Sequence, residues 1–416
     1  MEKWTMASND SRLHYLDAMR SVLMLLGLVL HSARPYDTGG WRVKDVEHLP
    51  WLDGLVSSLH LFRMPAFFVI AGFFAMFLVR RRTTGVFLRE RMRRVLVPLV
   101  VVLFTINVLQ AWFVSRFVEG QQGPFVSEVL IPAFWSGNLV SHLWFLGCLA
   151  VYFALTALVA PLLRSVDSTL AARAARIQTP ILVALIAAAA VAPVAAAVVG
   201  KLASGALHQY VLGVVKPMTV LNYLPFYAVG IVLCMLPDVL ARFSRVTLWS
   251  VAFALLGAAG MYVAGDSESL AMRALGLTAQ ALLAWMAIRA VFALFRRYTD
   301  HPSRTFRYLS DASYSIYLFH HLIVIVVATA LLSVPIGPGL KFPIVLACAS
   351  ILSLAIYHLL IRRSAVLGYL FNGAVPPAAR AAVSKPAASH AVSTAGVVET
   401  TAAPAGHGTM PGTGRA

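Results

Sequence analysis

The feature that most constrains this chain is a repeated one. About ten runs of roughly 20 mainly apolar residues follow one another, each long enough to cross a hydrocarbon core of about 30 Å as a helix. In lipid, backbone N–H and C=O groups must be satisfied inside the element, so such runs specify helices packed as a bundle. The runs lie near residues 13–32, 51–79, 95–113, 143–163, 181–199, 220–236, 248–264, 270–295, 313–332 and 342–361. Charged residues make up 12% of the chain, well below the roughly one quarter usual in soluble domains. The expected fold class is therefore all-α: a polytopic transmembrane helical bundle embedded in a lipid bilayer.

The net charge of +17 excludes less than it first suggests, because the basic residues sit in short connectors. Arg80, Arg81, Arg82, Arg89, Arg91, Arg93 and Arg94 form the most basic stretch, which the positive-inside bias places in the cytoplasm. Arg164, Arg173 and Arg176, then Arg242 and Arg245, then Arg296, Arg297, Arg304 and Arg307, and finally Arg362 and Arg363 fall on the same side by alternation. Both termini are then cytoplasmic, and the segment from Arg34 to Pro50 is external. No basic stripe interleaved with aromatics occurs, which argues against a nucleic-acid partner. Cys148, Cys234 and Cys348 lie in apolar runs without metal-ligand spacing, so neither a disulfide framework nor a metal site is expected. The first run carries charges and lacks a small-residue cleavage site, unlike a signal peptide. Residues 1–12 read as a cytoplasmic N-terminus, 13–372 as the membrane domain, and 373–416, rich in Ala, Pro, Ser, Thr and Gly, as a disordered cytoplasmic tail. No internal repeat of the kind found in transporters is visible.

Several runs carry side chains that an anchor would avoid. The first contains Asp17, Arg20 and His31. Arg20 and His31 return to nearly the same helical face about 16 Å apart along the axis, and Asp17 stands one turn before Arg20, in reach of an ion pair. Ionisable groups inside a membrane are costly and face the bundle interior, where they mark functional sites; helix packing by an ion pair is the competing account. The second run places His60 and Arg63 on one face, with Pro65 removing a hydrogen bond to the Leu61 carbonyl. A buried Arg63 needs a protein partner or an anionic group of a substrate. The fourth run opens with His142 and Trp144 at the outer boundary, where an aromatic anchor is ordinary. In the ninth, Ser310 or Asp311 can cap a helix on which Tyr314, Tyr317 and His321 recur one turn apart, with His320 beside them. Arg91 and Arg94, also one turn apart, can present two forked donors to a phosphate. Together these residues suggest an anion site on the inner side and histidines with an arginine in the outer half. A histidine there can act as a general base on a hydroxyl.

These stretches resemble the integral-membrane acyltransferase-3 family. Arg20 and His31 match its Arg-x10-His signature, Asp17 its Leu-Asp-x-x-Arg position, and Arg91 and Arg94 its Arg-x-x-Arg element. The runs HLFRMPAFFVIAGFF, SHLWFL, NYLPFYAVG and SYSIYLFHH are most similar to the branch that succinylates osmoregulated periplasmic glucans. Where the family often has Ser-Gly-Phe this chain has Ala71, Gly72 and Phe73, so a role for that hydroxyl is absent. The resemblance implies a multi-pass enzyme of the bacterial inner membrane with no bound cofactor and an acyl-CoA co-substrate, succinyl-CoA or acetyl-CoA. It implies that Arg91 and Arg94 hold the phosphates of the acyl-CoA, while Asp17, Arg20, His31, His60 and Arg63 form the catalytic set. His31 would serve as general base or acyl relay, and Arg63 would face an oxyanion or a succinyl carboxylate. His142, Trp144, Tyr314, Tyr317, His320 and His321 would line the site of a periplasmic glucan acceptor. O-acetylation of another surface polysaccharide and transport of a glycan or anion without covalent chemistry are the alternatives.

Overall fold

The computed structural model describes residues 13–165, 178–203 and 205–374. Segment 1–12, Arg173 and Arg176, and the tail beyond residue 374 lie outside the described residues. Among the described residues the regular structure is helical, apart from one isolated β-bridge between Val211 and Val215. Nine helices there are long and apolar enough to cross a membrane, or ten spans if one bent pair is counted together.

The first half of the bundle comprises α1 (His14–Ala33), α2 (Pro50–Val79), α3 (Thr84–Phe104) continued by α4 (Ile106–Phe113), α5 (Trp144–Ser165), α6 (Gln178–Leu202) and α7 (Pro217–Met235). The second half begins with the short α8 (Pro237–Phe243), bent by 64° from α9 (Leu248–Ala264). It continues with α10 (Leu270–Tyr298), α11 (Arg304–Leu331), α12 (Pro338–Ala355) and α13 (Ala365–Asn372).

Two helix starts differ from expectation. α3 begins at Thr84, capped by the Thr83 side chain, which accepts from the Val86 N–H. Arg89, Arg91, Arg93 and Arg94 therefore lie on a helix rather than in a connector, and arginine suits that position because its helix propensity is high. α11 begins at Arg304, capped by Ser303, whose hydroxyl accepts from the Phe306 N–H at 3.3 Å. The capping role expected of Ser310 or Asp311 thus belongs to a serine about two turns earlier. Ser310 is left inside the helix, free to meet another side chain. α6 runs through Pro193, as α2 runs through Pro65. Membrane helices tolerate such prolines when neighbouring elements satisfy the freed carbonyl.

The axis of the bundle is α2, buried without a break from Arg63 to Ile70. It packs against α1, α5, α7 and α10. Its crossing with α7 is the tightest: a Cβ at Gly72 would collide with the Tyr227 carbonyl, and one at Gly230 with the Val69 carbonyl. Lipid offers no hydrophobic drive to helix association, so this backbone proximity supplies the dispersion contacts that hold the pair.

Both ends of the bundle are fastened. At the arginine-rich end, the Arg164 guanidinium donates to the carbonyls of Val79 and Arg82 and to the Thr84 hydroxyl. At the opposite end, segment 34–49 folds inward as a cover. Asp37, 1% exposed, pairs with Arg34 at 2.5 Å and with Lys44 at 2.9 Å, and the buried Asp45 pairs with Lys341 of α12 at 2.8 Å. Burial pushes the Tyr36 phenol pKa up and the Arg42 guanidinium pKa down within this cover.

Candidate functional site

Four helices, α1, α2, α5 and α11, each line two adjoining cavities in the bundle. The cavity at the arginine-rich end has a volume of about 350 Å³ and is faced by Arg20, Arg91 and Arg94, with Asp311 opposing them. Arg20 donates to the Ser310 hydroxyl at 2.7 Å and lies over the Phe74 ring, 6.0 Å from its centroid. Arg91 sits over Phe153 at 5.6 Å. The Tyr314 hydroxyl donates to the Arg94 carbonyl at 3.0 Å, which ties the middle of α3 to α11. Apolar walls and three guanidinium groups at one end make a site for an amphiphilic anion.

The second cavity, about 90 Å³, is lined by His31, His60, Arg63, His142, Trp144, Tyr317 and His320, among others. Three of its histidines, His31, His142 and His320, cluster with His321. The His31 ring centroid lies 5.3 Å from that of His320 and 4.8 Å from that of His321, and His142 stacks on His321 at 4.8 Å. The hydrogen bonds fix two tautomers. His320 Nδ1 faces the carbonyls of Ile316 and Tyr317 at 3.1 and 2.8 Å, so it carries the proton and leaves Nε2 as a lone pair. His321 Nδ1 faces Gln110 Oε1 at 2.7 Å and is assigned as a donor in the same way. The His142 carbonyl accepts from the Tyr317 hydroxyl at 2.8 Å. The buried atoms His31 Nδ1, His320 Nε2, Arg63 Nε and both ring nitrogens of His142 make no hydrogen bond. Buried polar groups are rarely left so, and their concentration around one cavity marks a site built to receive a polar ligand.

Arg63 reaches this place because Gly27 lets it. The guanidinium lies on α1 where that helix has no side chain, and a Cβ on Gly27 would stand 2.5 Å from its Nη1. His31 is one turn further along the same face of α1.

The residues named from sequence therefore separate into two groups. Arg20, Arg91, Arg94 and Tyr314 face the larger cavity, while His31, His60, Arg63, His142, Trp144, Tyr317 and His320 face the smaller one. His321 stands behind His31 and His142. Asp17 is 3.9 Å from Arg20 and faces a separate cleft with His14 and His301. The sequence did not single out Gln110, Tyr223, Gly27 or Trp41, and it offered Ser310 only as a helix cap, not as the partner of Arg20. Gln110 was detectable as one of two amides, with Asn107, in an apolar run. Tyr223, stacked on Trp144 at 5.3 Å, resembles any interfacial aromatic, and Trp41 reaches His31 and His321 only because segment 34–49 folds back.

The chain belongs to the acyltransferase-3 family: the model of its acyltransferase domain matches residues 13–359, a stretch that contains every candidate residue named above. It is thus a multi-pass membrane acyltransferase. Among named proteins it is similar to glucans biosynthesis protein C of Salmonella typhimurium, Salmonella typhi and Salmonella schwarzengrund. Each is 28% identical over 329 residues, covering 74% of this chain and 82% of the relative. No solved structure matches the chain.

Proposed function

We propose that this acyltransferase moves a succinyl group from cytoplasmic succinyl-CoA to a hydroxyl of a periplasmic glucan across the bacterial inner membrane. The observation that carries the reading is the pair of adjoining cavities, one basic and one holding unpartnered histidine and arginine atoms, lined by one face of α1 with Arg20 at one end and His31 at the other. The similarity to glucans biosynthesis protein C supports a glucan as the acceptor. The basic connectors support the orientation, with the arginine end in the cytoplasm and both termini on that side.

In this reading Arg20, Arg91 and Arg94 hold the phosphates of acyl-CoA, and the acyl thioester reaches into the smaller cavity. The His31 imidazole takes the proton of the acceptor hydroxyl as its oxygen attacks the thioester carbonyl. Arg63 donates to the oxyanion of the tetrahedral adduct, whose negative charge it meets in a dry site. The C–S bond then breaks, the sulfur leaves as thiolate, and the proton held by His31 passes to it, giving the glucan ester and free CoA. Trp144 and Tyr223 offer an aromatic face to a sugar ring, and His60 stands at the rim. His320 has a specific claim to the base as well, because its Nδ1 proton is pinned by two carbonyls and its Nε2 is bare.

Mass spectrometry of periplasmic glucans from cells with and without the gene tests the proposal. Loss of a succinyl increment supports it. Loss of an acetyl increment, or of an acetyl group from another polysaccharide, replaces the donor or the acceptor. Unchanged glucan mass with altered glucan location overturns acyl transfer in favour of transport.

A further inference from the structure

The two cavities have three wall residues in common: Met24 of α1, Phe67 of α2 and Phe145 of α5. Each helix contributes one residue to both cavities, and α1 carries a charged or titratable residue on either side of it. On α1 the order is Arg20, Met24, Gly27, His31; on α2, Phe67 lies between Arg63 on one side and Ala71 and Phe74 on the other. All three side chains are buried, and the rings of Phe67 and Phe145 meet edge to face with centroids 5.0 Å apart. None offers a hydrogen-bonding group beyond a thioether. The two cavities thus adjoin at a ring of apolar side chains.

We propose that Met24, Phe67 and Phe145 form a neck that selects the transferred acyl group by its cross-section. The inference rests on the reading of the larger cavity as the acyl-CoA site and the smaller one as the place of transfer. Under that reading the acyl group must thread the neck from the donor side, and the slender thioethyl arm of the donor stays within it. A linear acyl group passes end-on. A group branched next to the carbonyl presents two methyl arms at once and meets Phe67 and Phe145. These rings cannot retreat easily, because Phe67 is held by Phe145 and Phe145 also packs against Phe68 at 5.0 Å. Met24 is the adaptable member, since an unbranched thioether changes rotamer cheaply. One misplaced methyl group in a close-fitting apolar site changes relative rates by about 10- to 200-fold, so discrimination against a branched isomer should fall in that range.

The test uses full-length protein in lipid nanodiscs with a glucan acceptor, comparing n-butyryl-CoA with isobutyryl-CoA. These donors have the same atoms and differ in branching, the linear one being longer and narrower, so cavity volume cannot account for a difference between them. Wild type should prefer the linear isomer by at least 10-fold, and Met24→Ala and Phe145→Leu should each bring the ratio close to one. Met24→Trp should stop transfer from every donor while acyl-CoA still binds, because Arg20, Arg91 and Arg94 lie below the neck. Retained acyl-CoA binding also reports that each variant is folded, and either widened variant suffices. An unchanged isomer ratio in a widened variant that binds and transfers overturns the neck, as does equal use of the isomers by wild type. A wild-type protein that transfers no acyl group from any CoA donor overturns the underlying reading, and the neck with it.

Discussion

Gly27 tests whether the placement of Arg63, rather than its mere presence, drives transfer. An alanine there puts a methyl carbon 2.5 Å from Arg63 Nη1, where ordinary contact begins at 3.4 Å. The guanidinium must therefore retreat by about 1 Å. It is the far end of a flexible side chain, so the fold absorbs the shift, and alanine favours the helix over glycine by about 1 kcal/mol. Catalysis is less forgiving: a displacement of about 1 Å in a group that stabilises the transition state costs on the order of 100-fold in rate. Gly27→Ala should accordingly accumulate and melt like wild type, keep its KM for acyl-CoA, and lose about 100-fold in kcat, read by mass spectrometry of the glucan product. The KM should hold because Gly27 lines the smaller cavity and not the one that faces Arg91 and Arg94. Unchanged kcat in a well-folded Gly27→Ala protein refutes the argument and leaves Arg63 as a packing residue. A fall confined to KM would instead assign Arg63 to donor binding.

Replacing His31 with alanine should lower transfer by about 100- to 10,000-fold with membrane expression intact, the range for loss of a general base. His320→Ala in the same assay identifies the base, since only one of the two should show the full loss. Arg91→Ala should raise the KM for acyl-CoA by roughly 10- to 100-fold, measured by donor titration, because a charge-assisted bond to phosphate is worth about 1.5–3 kcal/mol. Lys341→Met strands Asp45 as a buried carboxylate, which costs about 3–5 kcal/mol when one partner of such a pair is lost. The melting temperature should fall, and the Lys341→Met, Asp45→Leu double variant should recover it. Gly230→Val should abolish recovery of folded protein, judged by size-exclusion chromatography, because the Val69 carbonyl occupies the space of the new side chain.

Much of this arrangement was legible without coordinates, for identifiable reasons. The long apolar runs specified helices because lipid leaves the backbone no other partner. The costly side chains announced themselves by the same rule: Arg20, His31, Arg63, His142, His320 and His321 all face the two cavities or the histidine cluster. Helix starts were harder. Ser303 and Ser310 are equally good caps by composition, and the choice of Ser303 depends on where α11 must begin to carry Ser310 to Arg20.

Hydropathy, residue type and spacing, read along the chain, were enough for a helical membrane bundle, its family, and a set of costly side chains that face the bundle interior. Tertiary structure alone decided how those residues divide. Asp17 stands outside both cavities although it is one turn from Arg20, while Gln110 and Trp41, distant along the chain, close around the histidines. It also decided that Met24, Phe67 and Phe145, which read as ordinary core, meet where the two cavities adjoin. The angular register of three helices sets that meeting, and register follows from packing such as the Gly72–Gly230 crossing rather than from the composition of any one helix.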